Sequence, residues 1–255
     1  DRLRSRGLGD VYKRQHLDNA LVDISLRGKQ MTVENSYLIA DDLSTNGVFP
    51  KAWIREKNSF SLLKNGNSRA VENEILASKI CRCFDCRQVL YEESMFDGQK
   101  VSKSRIITSV DYSMVSMEAF EIYAANHDIH VMDFVLKLDA YTYYMMNLLD
   151  YLIGNTDRHW GNWGFLVDNR TNQPVRLFDL MDLNQTFLAY DTPDGANCMT
   201  TGNRKMSQRE AAVEAVKKIG LNQRAEIKDE WFKGREKERE MFWCRFGILK
   251  EQWKA

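Results

Sequence analysis

The clearest hydrophobic pattern in the chain is a stripe of apolar residues, three or four positions apart, that runs from Val131 to Leu152. This spacing places the apolar side chains on one face of an α-helix, so it predicts a long helix packed against a core. Gly154 follows where a helix C-cap is expected, because glycine adopts left-handed backbone angles at little cost. A shorter apolar pattern predicts another helix over Met117–Ala125.

The N-terminal part of the chain alternates short apolar runs with polar, turn-forming residues. The runs at 31–40, 51–55 and 60–64 predict β-strands, because β-branched and aromatic residues recur in them between clusters of Asn, Asp and Gly. From Ala70 onward the apolar positions change to helical spacing, and Ser68 is the expected N-cap of this helix.

The C-terminal half combines one β-hairpin with further helices. Apolar runs on either side of 169–174 predict the hairpin directly after the long helix. Ser207 and Glu210 have the spacing of a capping box, and Asn222 is the expected N-cap of a later helix. Residues 87–110 show no regular pattern. The order of elements therefore predicts an α+β fold, with a β-rich N-terminal part and a mainly helical C-terminal part.

Length and composition limit the classes of protein to consider. The 255 residues, 44% of them hydrophobic, suffice for one large domain or for two smaller lobes. Basic and acidic side chains balance at 36 each, so no global field directs the protein to nucleic acid or to an anionic membrane. The two ends of the chain are basic, which leaves residues 16–203 with an excess of carboxylates. That excess suits a metal-dependent enzyme.

Residues 1–15 lack hydrophobic periodicity, and we interpret this basic stretch as a disordered or non-native tail. No apolar core follows it, so no signal peptide is recognised. The most apolar part of the chain, residues 131–153, contains four charged side chains, so a membrane span is not expected.

Three of the five cysteines, Cys81, Cys83 and Cys86, lie close together. A zinc site is not favoured, because this spacing matches no standard zinc motif and because residues two apart on a helix face different directions. Free thiols in a reducing, cytoplasmic setting are the simplest interpretation.

The densest cluster of polar residues spans 154–165, between the long helix and a predicted strand. Within it, Asp157 and Asn162 have the Asp-x-x-x-x-Asn spacing of the kinase catalytic loop. In phosphoryl transfer the carboxylate orients an attacking hydroxyl and accepts its proton, and the amide oxygen helps to hold Mg²⁺. The spacing predicts this division of roles.

A second metal ligand is expected after the hairpin, where Asp179 and Asp182 are both candidates. Asp182-Leu183-Asn184 is similar to the Asp-Phe-Gly turn of kinases, with Asn in the place of Gly. Because Asn tolerates positive φ better than other non-glycine residues, we prefer Asp182 to Asp179.

Four other residues of the cluster have open or supporting roles. Arg158 pairs either with a phosphorylated residue or with a carboxylate, and the sequence leaves both alternatives open. His159 is expected to organise the loop by packing and hydrogen bonding rather than to act as a base or metal ligand. Trp160 and Trp163 are expected to be core aromatics.

Residues 154–168, G-N-T-D-R-H-W-G-N-W-G-F-L-V-D, together with 180–187, L-M-D-L-N-Q-T-F, resemble the HipA-like kinase family. These are bacterial proteins with a kinase-like fold, and the type member is a serine/threonine kinase toxin. Upstream, residues 44–53 resemble the first hairpin of the family, 60–64 the strand that ends in a phosphate-contacting lysine, and 71–80 the helix that follows it.

The resemblance implies a two-lobed protein-kinase-like fold, with a small β-rich N-lobe at 16–110 and a larger, mainly helical C-lobe at 111–255. It implies ATP and Mg²⁺ as cofactors, bound between the lobes. Lys64 would contact the phosphates and Glu74 would hold Lys64, while Asn162 and Asp182 would carry Mg²⁺ and Asp157 would orient the acceptor hydroxyl. The turn over the phosphates would contribute Ser44, Thr45, Asn46 and Gly47.

The reaction that the resemblance implies is transfer of the γ-phosphoryl group to a Ser or Thr hydroxyl of a protein whose identity the sequence does not give. Autophosphorylation at Ser44 or Thr45 is a further hypothesis, and an antitoxin-like partner is expected by analogy with the toxin. No direct nucleic-acid binding is indicated. Two alternatives stay open, namely a small-molecule or lipid kinase of related fold and a non-catalytic nucleotide-binding regulatory module.

Overall fold

The computed structural model describes residues 51–56, 59–65, 67–188, 190–202 and 205–254. The described elements, in chain order, are β1 Lys51–Glu56, β2 Ser59–Lys64, α1 Ser68–Cys81, β3 Tyr91–Phe96, β4 Gln99–Arg105, β5 Tyr112–Ser116, α2 Met117–Asn126, α3 Val131–Ile153, β6 Gly164–Asp168, β7 Gln173–Leu177, α4 Gln208–Ile219, a 3₁₀ helix Asp229–Phe232 and α5 Glu236–Lys254. The expected strand at 31–40 and the phosphate-covering turn at 44–47 lie outside the described residues.

The chain divides into two compact units. The first contains the described residues up to Val71 together with Tyr91–Ile106, and the second contains Glu72–Leu90 and the residues from Ile107 onward. The lobe boundaries at 16–110 and 111–255 stay a prediction.

The first unit is built on a four-stranded antiparallel sheet in the order β1-β2-β4-β3. The sequence predicts β1 and β2 correctly but misses β3 and β4, which fall in the stretch without a regular pattern. Their connection is a two-residue turn at Asp97 and Gly98, both with positive φ, at 49° and 74°. Asp-Gly is favoured in such turns because both residues accept left-handed angles, so this dipeptide was the available signal.

The core of the second unit is organised around α3, whose C-terminal half is buried almost all round. α3 packs against α4, α5 and β7, and the antiparallel sheet β5-β6-β7 lies beside its N-terminal half. Phe120 of α2, Phe134 of α3 and Phe165 of β6 form one aromatic cluster, with ring centroids 4.6–5.6 Å apart. The predicted helix, the hairpin and the Gly154 C-cap are all confirmed.

Asp139 interrupts the helical geometry of α3, with φ −156° and ψ 63°. Its carboxylate accepts hydrogen bonds from the backbone N–H of Thr142 at 3.2 Å, which restarts the helix, and from the N–H of Leu177 at 3.2 Å, which ties β7 to the break. Arg87 forms an ion pair with the same carboxylate at 2.7 Å. A helix N-cap in mid-helix therefore also anchors the hairpin.

Two of the predicted helix caps are wrong. α1 begins at Ser68, and the residue that caps it is Asn67, whose Oδ1 accepts from the Ala70 N–H at 2.8 Å. Asn222 does not start a helix; its Nδ2 donates to the carbonyls of Ile219 and Gly220, so it closes the C-terminal end of α4. Its positive φ of 52° suits that position. The Ser207–Glu210 capping box is confirmed.

None of the helices in the described part of the chain combines the length and the apolar character that a bilayer crossing requires.

The N-cap assignment predicts different effects for two neighbouring substitutions. Asn67→Ala should lower the free energy of unfolding by about 1 kcal/mol, because it removes the acceptor for the first turn of α1. Ser68→Ala, the matched control, should change it by less than about 0.5 kcal/mol. Urea unfolding of both variants tests this, and a larger loss for Ser68→Ala would show that the cap is misassigned.

Candidate active site

The candidate catalytic loop begins where α3 ends, at Gly154. Gly154 has φ 60° and ψ 44°, and its N–H donates to the carbonyls of Asp150 and Tyr151. A Cβ at this position would lie 2.3 Å from the ring of Tyr190, so glycine is required by space as well as by backbone angle. The loop ends at Gly164, where β6 begins, so it is fixed at both ends by regular structure.

Asp157 and Asn162 are brought together within this loop. The Asn162 side-chain amide donates to the backbone carbonyl of Asp157 at 2.8 Å and lies 3.4 Å from its carboxylate Oδ2. The Asp157 N–H donates in turn to Oδ1 of Asn155 at 3.2 Å. The Asp157 side chain is 45% exposed, so a substrate hydroxyl can reach it. Since the Asn162 Nδ2 faces Asp157, its Oδ1 is the atom left to bind a cation.

A buried ion pair between Arg158 and Asp150 supports the loop from below. Two guanidinium nitrogens of Arg158 donate to the two carboxylate oxygens of Asp150, at 2.8 and 3.1 Å, and the side chains are only 3% and 5% exposed. Asp150 also accepts from the Asn155 side chain at 2.9 Å. Of the two partners that the sequence leaves open for Arg158, the structure has the carboxylate.

The same arginine connects the loop to the residue before Asp182. Its remaining terminal nitrogen, NH1, donates to the carbonyl of Asn162 at 2.7 Å and to the carbonyl of Met181 at 2.6 Å. One nitrogen therefore holds the backbone beside both expected metal ligands, Asn162 and Asp182. Sequence reasoning missed Asp150 as the partner of this arginine; the only signal was a single acidic residue on an otherwise apolar helix face.

Asp182 and Asp179 have different surroundings. Asp182 itself has positive φ, at 55°, whereas the sequence argument placed the left-handed residue at Asn184. Short polar side chains such as Asp also tolerate this region, so the left-handed residue lies two positions earlier than expected. Asp179 is bound by Arg176 at 2.5 Å, with its side chain only 14% exposed. That ion pair engages the Asp179 carboxylate, and the choice of Asp182 as the metal ligand stays a prediction.

Asn162 Oδ1 and the Asp182 carboxylate are hard oxygen donors, which fits a Mg²⁺ ion that keeps several waters and also binds phosphate oxygens. Among the described residues, no group of three or more His, Cys, Asp and Glu side chains is arranged to hold a metal ion. A magnesium site of one carboxylate and one amide, completed by phosphate and water, needs no such group.

The other residues of the loop have structural contacts. Nδ1 of His159 accepts from the N–H of Gly161 at 3.0 Å, and its Nε2 lies 4.0 Å from the Asp157 carboxylate. Trp163 is buried, and the indole N–H of Trp160 donates to the carbonyl of Met199 at 3.0 Å. These contacts organise the loop and attach it to the segment that precedes α4.

The expected nucleotide-binding residues are described in part. Lys64 ends β2 in the first unit and is buried, with its Nζ 4.9 Å from the centre of the Tyr91 ring. Glu74 is a buried residue of α1 in the second unit. The residues Ser44, Thr45, Asn46 and Gly47 lie outside the described part of the chain.

The three neighbouring cysteines Cys81, Cys83 and Cys86 are free thiols. Cys81 and Cys83 are buried, and burial raises the pKa of both thiols. Burial and the neighbouring carboxylates of Asp179 and Asp150 raise the pKa of Cys86 to about 12. Thiols held in the protonated form are poor nucleophiles.

The buried pair yields a stability prediction. Asp150→Asn should lower the free energy of unfolding by about 3 kcal/mol, because it leaves the Arg158 guanidinium buried without a counter-charge. The matched control is Asp111→Asn, which breaks the exposed ion pair with Arg170 and should cost less than about 1 kcal/mol. Chemical denaturation measures both, and equal effects would contradict the role assigned to Asp150.

Comparison of the fold with solved structures finds two relevant likenesses. The chain is similar to the Helicobacter pylori proinflammatory kinase CtkA, with a TM-score of 0.61 and 13% sequence identity, over 85% of this chain and 94% of that one. It also matches HipA of the Shewanella oneidensis MR-1 toxin–antitoxin system, solved with HipB and operator DNA, with a TM-score of 0.48 and 12% identity, over 93% of this chain and 73% of that one.

No protein-family model matches the sequence, and no curated protein matches it at a significant level. The likeness to CtkA is therefore one of structure rather than of closely similar sequence, and it shows the fold alone. The chain has the α+β kinase-like fold that its resemblance to the HipA-like kinases implies.

Proposed function

We propose that this protein is an ATP- and Mg²⁺-dependent phosphotransferase that phosphorylates Ser or Thr hydroxyls of a protein substrate. The proposal depends on one observation: a single set of hydrogen bonds fixes the chain at or beside Asp157, Asn162 and Asp182. Asn162 is hydrogen-bonded to Asp157, and Arg158 binds the backbone beside both Asn162 and Asp182. A kinase needs these three groups, on two separate loops, to act on one triphosphate.

Asp157 would act on the acceptor. Its exposed carboxylate would accept a hydrogen bond from the Ser or Thr hydroxyl and align the oxygen with the γ-phosphorus. As the new P–O bond forms and the bond from the γ-phosphorus to the bridging oxygen of ADP breaks, the hydroxyl proton would move to Asp157. The hydrogen bonds from Asn162 and to Asn155 hold the loop so that this carboxylate needs little reorganisation.

Asn162 and Asp182 would hold the metal, which would supply positive charge to neutralise the phosphate groups. Arg158 would keep their backbones at a fixed separation without using either side chain. Lys64 would contact phosphate as a point charge and Glu74 would orient Lys64, as the resemblance implies. Ser44, Thr45, Asn46 and Gly47 stay candidates for phosphate contacts on the same basis.

The setting and partners belong to the same proposal. All five cysteines are free thiols, which supports a reducing, cytoplasmic environment. An antitoxin-like protein partner is proposed from the sequence resemblance alone.

Transfer of labelled phosphate to proteins, to small metabolites or to lipids in a host lysate distinguishes a protein kinase from a small-molecule or lipid kinase. Magnesium-dependent ATP turnover distinguishes both from a non-catalytic regulatory module.

Removal of the proposed base should separate chemistry from binding. Asp157→Asn should lower the rate of phosphate transfer by about 10²-fold or more, because the hydroxyl proton loses its acceptor, while ATP binding stays within about twofold. Radiolabelled ATP measures transfer, and calorimetric titration with a non-hydrolysable ATP analogue measures binding.

Asp111→Asn is the matched control for this experiment, since it makes the same change at an exposed carboxylate distant in sequence from the loop. It should retain normal transfer. Full activity in Asp157→Asn would remove this residue from the mechanism and with it the main support for the proposed reaction.

The two candidate metal ligands are distinguishable by magnesium dependence. Asp182→Asn should raise the Mg²⁺ concentration needed for half-maximal activity by at least about tenfold, because it removes a charged ligand. Asp179→Asn should leave that concentration nearly unchanged and lower stability instead, because it breaks the ion pair with Arg176. Magnesium titrations at saturating ATP measure both, and the opposite pattern would assign the metal to Asp179.

A further inference from the structure

A buried arginine of the C-terminal helix lies directly behind the candidate catalytic loop. Arg245 of α5 is fully buried, and among the described residues no carboxylate lies within ion-pair distance of it. Its Nε has no hydrogen-bond partner. An isolated cation is costly to bury, so its surroundings must compensate for the charge by other means.

Backbone carbonyls and aromatic rings provide that compensation. NH1 of Arg245 donates to the carbonyl of Tyr151 at 2.6 Å, and NH2 donates to the carbonyl of Thr192 at 2.8 Å. The guanidinium lies over the rings of Tyr190 and Tyr151, 4.3 and 5.0 Å from their centres. The Tyr151 carbonyl is in the last turn of α3, where the helix dipole favours a cation.

Arg245 therefore joins two pieces of chain that both lead to the candidate site. One is the end of α3, which is capped by Gly154, three residues before Asp157. The other is the post-Asp182 segment, which we define as residues 183–188 and 190–194. A Cβ on Gly154 would lie 3.4 Å from NH1 of Arg245 as well as against Tyr190, so the guanidinium, the tyrosine and the start of the loop are in direct contact.

Further contacts fasten the post-Asp182 segment to the same helix end. The hydroxyl of Tyr190 donates to the carbonyl of Leu152, and the N–H of Phe187 donates to the carbonyl of Ile153 at 3.1 Å. Phe187 has positive φ, at 58°, a conformation that a bulky residue adopts only when its surroundings enforce it. Its ring packs edge-on against Tyr190, with centroids 5.3 Å apart.

A second buried arginine holds the other end of the segment. Arg235, directly before α5, donates to Oδ1 of Asn73 and lies over the Phe187 ring at 5.1 Å. The Nδ2 of Asn73 donates in turn to the carbonyl of Thr186 at 2.6 Å. Arg235, just before the start of α5, therefore fixes the segment near residues 186–187. Arg245, in the middle of α5, fixes it near residues 190–192.

We propose that Arg245 is a positioning residue for phosphoryl transfer: by fixing Tyr190 and Thr192 against the end of α3, it sets the position of the loop that carries Asp157. The inference rests on the proposed function and adds the C-terminal helix to the catalytic apparatus. It also means that the post-Asp182 segment is held by buried contacts inside the chain.

The test compares substitutions along α5. Arg245→Met keeps the length and apolar bulk of the side chain but removes its charge and both hydrogen bonds. It should lower kcat about 10- to 100-fold, because small misplacements of a catalytic group have effects of this size, while the KM for ATP stays within about twofold. Amide hydrogen exchange at Phe187 should be faster, because Arg245 no longer fixes Tyr190, which packs against Phe187 and its hydrogen bond to Ile153.

Two variants of the same helix are the controls. Arg239→Met removes an exposed charge and should change neither measurement. Phe246→Leu trims a buried ring that packs against Phe84 and Phe242, so it should lower the melting temperature without a selective change in kcat or in exchange at Phe187. Arg245→Lys replaces Arg245→Met if the latter does not fold, because it keeps the charge but cannot bind both carbonyls with its single ammonium group.

An unchanged kcat in Arg245→Met overturns the inference, as does an equal fall in kcat for Phe246→Leu at a matched loss of melting temperature. If the unmodified protein transfers no phosphate, it is the proposed function that fails. The exchange measurement then still decides whether Arg245 fixes the post-Asp182 segment, and uniform exchange across all variants overturns that claim without reference to activity.

Discussion

The candidate site depends on the burial of one guanidinium. Arg158 can leave water because Asp150 neutralises it through two hydrogen bonds and because two backbone carbonyls occupy the remaining nitrogen. Each carbonyl belongs to, or directly precedes, an expected metal ligand. A lysine could not perform this task, since its single ammonium lacks the planar fork that reaches a carboxylate and two separate carbonyls together.

In this arrangement the residues that hold the loop are different from the residue that is accessible to a substrate. The buried groups Asp150, Arg158 and Asn155 are hydrogen-bonded to one another, so they fix the loop from inside the protein. Asp157 remains accessible at the surface of the same loop. The result is a carboxylate on a fixed loop, as the proposed phosphoryl transfer would require.

The same principle extends to the C-terminal helix. Arg235 and Arg245 are further buried guanidinium groups, and each connects a residue of a helix to the irregular post-Asp182 segment. Irregular segments expose backbone carbonyls that no helix or sheet satisfies, and a buried arginine can satisfy two at once. Arg158, Arg235 and Arg245 thus all bind segments without regular structure through buried guanidinium groups.

The sequence by itself determined the elements with strong local signals: the amphipathic stripe of α3, the capping box of α4, the hairpin after the loop and the Asp157–Asn162 spacing. It left β3 and β4 unrecognised, because their alternation is weak and only the Asp97-Gly98 turn marks them. It also misassigned two caps. Ser68 was preferred to Asn67 because both adjacent polar residues suit an N-cap, and Asn222 was expected to start a helix whereas it closes the one before it. The partners of Arg158 and Arg245 were decided only by the tertiary structure. Asp150 is eight residues from Arg158 and Thr192 is fifty-three from Arg245, and which oxygens meet a buried guanidinium depends on how distant segments pack, a relation that no local pattern of residues encodes.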